Sequence, residues 1–71
     1  MIKLYKAIRG KKSELIGEGE TLHEVVEKAY EAGSIDAWDE LYREDFDEQI
    51  EVLVDYVRTA HQDYVIEDDE L

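Results

Sequence analysis

All 20 acidic side chains of this 71-residue chain fall after residue 12, and only Lys28, Arg43 and Arg58 accompany them there. Residues 1–12 hold the other five cations, Lys3, Lys6, Arg9, Lys11 and Lys12, and no acid. Any fold must therefore keep a dense set of carboxylates at the surface while building a core from what remains. With net charge −12 the compact state repels itself, and it also repels nucleic acid and anionic membranes.

The chain is short enough to be one domain, and a domain of this size buries only about 60% of its unfolded surface. It has no cysteine to staple it. High charge with little apolar content would mean disorder, but 44% of the residues are hydrophobic and they recur in regular periods. No apolar stretch is long enough for a transmembrane helix. The basic start lacks the apolar run of a secretory leader. The sequence-based expectation is a cytoplasmic protein, of a bacterial or host cell.

Residues 2–9 alternate, with Ile2, Leu4, Lys6 and Ile8 on one face and Lys3, Tyr5, Ala7 and Arg9 on the other. This is strand periodicity. A turn at Gly10–Ser13 predicts a hairpin with Arg9 opposite Glu14, Ile8 opposite Leu15 and Ala7 opposite Ile16, pairing apolar with apolar. Gly17 and Gly19 mark a bulge or the end of the second strand.

Thr21 and Glu24 form a capping box, with Glu24 expected to reach the amide of residue 21. Leu22, Val25, Val26 and Ala29 follow at helical spacing. Gly33 supplies the left-handed terminating residue. Ser34 can cap a second helix through Ile35, Trp38, Leu41 and Tyr42. Asp45-Phe46-Asp47-Glu48 opens a third, whose stripe is Phe46, Ile50, Leu53, Val54, Val57 and Ala60. A single helix over 35–61 would span about 40 Å and outgrow the domain, so a break is expected near 43–46. Residues 64–66 read as a last strand, followed by an acidic tail over 67–71.

The order β-β-α-α-α-β predicts an α+β domain over residues 1–66. Its three-stranded antiparallel-type sheet has the last strand against the first, and two or three helices cover one face. The tail would then lie near Lys3 and Lys6.

The functional signal is electrostatic. Asp36, Asp39, Glu40, Glu44, Asp47, Glu48, Glu51 and Asp55 lie on or beside the polar face of the second and third helices. Surface helices normally mix signs at i,i+4, and each like-charge pair costs a few tenths of a kcal/mol. Nine acids between 36 and 55 against Arg43 alone are more than selection for stability would collect, although solubility could still explain them. Carboxylates one turn apart stand about 5.4 Å from each other, near the spacing of phosphates along a DNA strand. Such a row can occupy lysines and arginines that hold nucleic acid.

These eight acids, with Tyr42 and Tyr56 at the edges of the apolar stripes, form the expected partner-binding set. Trp38 and Phe46 are expected in the core, and Tyr30 at an edge. The expected partner is a protein with a basic nucleic-acid-binding groove, as met by phage-encoded inhibitors of host defence nucleases. Direct binding of nucleic acid or membrane is not expected. The alternative is a small adaptor or assembly subunit, binding a protein or a second copy through Trp38, Tyr42 and Tyr56.

No constellation points to catalysis, a cofactor or a metal. Ser13, Ser34, Thr21 and Thr59 lack a basic partner motif, and Thr21 and Ser34 read as caps. His23 and His61 are too distant in sequence for a local metal motif. The acids of 36–48 lack the glycine of a calcium loop.

Overall fold

The computed structural model describes residues 1–35 and 43–68. Strands β1 (Ile2–Ile8) and β2 (Lys11–Gly19) lead into helix α1 (Leu22–Glu31). Helix α2 (Phe46–Thr59) and strand β3 (Tyr64–Asp68) follow. The sheet order is β2-β1-β3, and both pairings are antiparallel. The α+β class and the pairing of the last strand with the first are as the sequence predicts. The expected second helix falls largely on residues 36–42, outside the described residues. Arg43–Asp45 are not helical, so no single helix runs from 35 to 61.

The predicted hairpin register is wrong. Ile8 pairs with Lys11, Ala7 with Lys12, Lys6 with Glu14, Tyr5 with Leu15 and Leu4 with Gly17. None of Arg9–Glu14, Ile8–Leu15 and Ala7–Ile16 forms. Turn geometry decides the register. Arg9 and Gly10 take φ of 54° and 83°, the two left-handed residues of a tight hairpin whose twist matches the strands. The turn thus begins one residue before the glycine. Two bulges on β2, at Ser13 and Ile16, then shift the pairing so that Leu15 joins Tyr5 on the open face. Ile16 still packs against the core.

Helix α1 begins as predicted at Thr21, whose Oγ1 accepts from the Glu24 amide at 3.1 Å. Glu24 reaches back one residue further than the expected box, accepting from the amide of Glu20 at 3.3 Å. The helix closes with paired bonds from Gly33 N–H to the Tyr30 carbonyl and from Ser34 N–H to the Ala29 carbonyl. Gly33 supplies φ of 74°. Asp45 caps α2, its carboxylate accepting from the Glu48 amide at 3.1 Å.

Both helices lie against one face of the sheet. Leu4, Val25, Val26, Ala29, Ile50, Leu53 and Val57 are almost wholly buried between the layers, with Ile35 and Tyr64 at the margin. Each large apolar side chain buried this way contributes roughly 1.5–3 kcal/mol. The layers approach closely at Gly17, where a Cβ would stand 3.0 Å from the Val25 carbonyl oxygen. Ile8 shares the face of Leu4 yet is 67% exposed, because the hairpin tip projects past the helices. Phe46, expected in the core, is 41% exposed. As the first residue of α2 it rests on Tyr30, their ring centres 6.3 Å apart, at the rim of the core. The last strand runs two residues beyond the expected 64–66, through Glu67 and Asp68.

Candidate acidic interface

The apolar stripe of α2 turns Ile50, Leu53 and Val57 inward, which leaves Asp47, Glu48, Glu51 and Asp55 on the opposite side, all exposed. Glu44 and Asp45, just ahead of the helix, are exposed as well. The predicted acidic face is therefore brought together over α2 for Glu44, Asp47, Glu48, Glu51 and Asp55. Asp36, Asp39, Glu40 and Tyr42 lie outside the described residues. Tyr56 is half-buried and its ring meets Tyr64 edge-on, with centres 5.8 Å apart. Its aromatic surface is thus used within the fold.

Little on this face is neutralised locally. Arg43 Nε lies 3.6 Å from Glu48 Oε1, an exposed and loose pair. Among the described residues no ion pair engages Asp47, Glu51 or Asp55. The backbone at the start of the face is tied by two side-chain hydrogen bonds. Gln49, buried on the inner side, accepts from the Arg43 amide at 2.5 Å, and Asp45 caps the helix.

Helix α1 extends the field with Glu27 and Glu31. Glu24 is partly compensated, its carboxylate 3.1 Å from Lys28 Nζ. That hydrogen bond, with the one from the Glu20 amide, holds the Glu24 carboxyl below its ordinary range. Between the helices a shallow groove of about 230 Å³ is lined by His23, Glu51, Val54 and Asp55. The sequence did not reveal that His23 would stand beside two of the predicted acids, since only the packing of α1 on α2 joins them.

The cations gather elsewhere. Lys12 reaches across the open face of the sheet to an ion pair with Glu67, and its ammonium lies 5.0 Å from the centre of the Tyr5 ring. The hydrogen bond to Glu67 raises the Lys12 pKa above its ordinary value. Of the two lysines expected near the tail, Lys3 pairs in register with Glu67, whereas Lys6 stands between Tyr64 and Glu14. The first of the late acids is thus answered by the hairpin, and the acids of α2 are not.

Among the described residues, no group of three or more His, Asp or Glu side chains is arranged to hold a metal ion. None of the described helices is long and apolar enough to cross a membrane. Comparison with protein-family models, curated proteins and solved structures finds no match.

Proposed function

We propose that this chain is a non-catalytic acidic binding protein that mimics nucleic acid and blocks the basic groove of a nucleic-acid-binding protein. The observation that carries this reading is the exposed row Asp47, Glu48, Glu51 and Asp55, of which, among the described residues, only Glu48 lies within ion-pair distance of a cation. From residue 47 to residue 55 the row covers about 12 Å of helix, the rise of roughly three to four nucleotides. Its backbone is tied at the start by the Asp45 cap and Gln49, so only the side chains of the row remain to be ordered when a partner binds. A phage-encoded inhibitor of a host defence nuclease or complex, acting in the cytoplasm, fits this chemistry.

A second reading, an adaptor with an apolar interface, draws on the exposed Phe46 ring beside Tyr30. The two are separated by capture of basic proteins from a bacterial lysate on the immobilised chain. Mimicry predicts capture at low salt, loss over a salt gradient and competition by added DNA or RNA. It also predicts that Glu48→Lys, Glu51→Lys and Asp55→Lys together abolish capture, while Phe46→Ala changes it little. Capture that ignores salt and fails in Phe46→Ala would replace mimicry with the adaptor.

A further inference from the structure

Two grooves of the body carry opposite chemistry. The one between the helices is lined by Glu51 and Asp55 beside His23 and Val54. The other, of about 340 Å³, lies where the end of α2 meets β3. It is lined by Val57, Arg58, His61, Tyr64, Val65 and Ile66. Among the described residues no acid lines it, in a chain that holds 20 of them. Its size stands at the lower end of the roughly 300–1,000 Å³ of small-molecule sites, which are mostly apolar with a few placed polar groups.

Arg58 is the placed group. The cations of the helix layer otherwise meet carboxylates, Lys28 that of Glu24 and Arg43 that of Glu48. Asp55 lies one turn before Arg58, at a spacing that forms ion pairs on a helix. Yet among the described residues Arg58 makes no ion pair and no side-chain hydrogen bond. Its side chain borders the groove instead. His61, just past the end of α2, borders it too and is exposed. Even a neutral imidazole keeps one N–H to donate. The walls are apolar. Val57 and Tyr64 are almost wholly buried, and Val65 and Ile66 are half-buried. Tyr64 serves as a wall through its ring, which Tyr56 meets edge-on.

We propose that this groove binds a small monocarboxylic acid with an apolar body, its carboxylate gripped by Arg58 and accepting from His61. The fork of a guanidinium matches a carboxylate through two parallel N–H bonds. Phosphate fits the same fork, but a dianion meets about twice the repulsion from a chain of net charge −12. It also gains nothing from apolar walls. Those walls favour an acid of about 10–15 non-hydrogen atoms, enough to cover Val57, Val65 and Ile66. The site uses none of Asp47, Glu48, Glu51 and Asp55, so it stands or falls apart from the acidic row.

The test titrates the full chain with octanoate, phenylbutyrate and naphthoate, each beside its neutral amide, and follows backbone amide chemical shifts. The expected result is saturable binding of at least one acid, with shifts confined to Val57, Arg58, His61, Val65 and Ile66. Its amide binds about tenfold or more weakly, and Arg58→Gln, at an exposed position, costs the acid a similar factor. Arg58→Lys recovers part of the loss, and inorganic phosphate does not displace the acid. No saturable shift from any of the three acids up to about 10 mM overturns the proposal. So does an amide that binds as tightly as its acid, an affinity unchanged in Arg58→Gln, or displacement by phosphate. Shifts at the same residues on concentrating the chain alone would give the groove to a second copy and overturn it as well.

Discussion

Reversing one charge in the middle of α2 tests whether its acids are held against the fold's own interest. Glu51 has Asp47 and Glu48 one turn before it and Asp55 one turn after, and all four are exposed. Each such like-charge relation costs about 0.2–0.5 kcal/mol, and an opposite-charge relation returns a similar amount. Glu51→Lys converts three repulsions into three attractions. Two of them have the acid N-terminal to the lysine, the better orientation. The sum is about 1–2 kcal/mol of stabilisation at low ionic strength after partial screening by solvent. In a domain of this size it raises the melting temperature by roughly 5–15 °C. Neither helix propensity nor the core offsets this, because both residues are good helix formers and Glu51 lies outside the apolar cluster. The assay is urea unfolding of both proteins at low salt and at about 0.5 M, where the Debye length falls to roughly 4 Å and most of the gain should vanish. A variant no more stable than the parent at low salt would refute the reasoning. It would mean that the field around Glu51 is already neutralised and that stability alone explains its acids. The same substitution should weaken capture of a basic partner, so stability and binding are expected to move in opposite directions.

Three further outcomes follow from the geometry. Arg9→Asn should stabilise the hairpin by about 1 kcal/mol, because Arg9 holds a φ of 54° that asparagine adopts at lower cost; unchanged thermal unfolding would count against the two-residue turn. Gly17→Ala should destabilise by about 1–3 kcal/mol, since its Cβ would press on the Val25 backbone at 3.0 Å; a neutral result in urea would show that α1 sits further from β2. The ion pair raises the Lys12 pKa above its ordinary 10.5, so its stabilisation is full below that value and is lost as pH rises through the folded-state pKa. The difference in melting temperature between Lys12→Met and the parent should therefore stay constant through neutral pH and close only above pH 10.5.

The local signals in this chain were legible where one residue's chemistry decides the outcome. Thr21, Gly33 and Asp45 each mark a helix end because an oxygen acceptor or a left-handed φ is needed there. The sheet order β2-β1-β3 agrees with the expectation that the last strand pairs with the first. The hairpin register was not legible, because matching Ile8 to Leu15 weighed side-chain pairing while the turn at Arg9 and Gly10 set the count and the bulges at Ser13 and Ile16 changed it again. Phe46 was misplaced for a related reason. It holds the correct phase for the buried stripe, but as the first residue of α2 it stands at the rim of the core against Tyr30. The acidic face of α2 needed only helical phase and was readable. The groove that joins His23 to Glu51 and Asp55 needed the packing of two helices and was not.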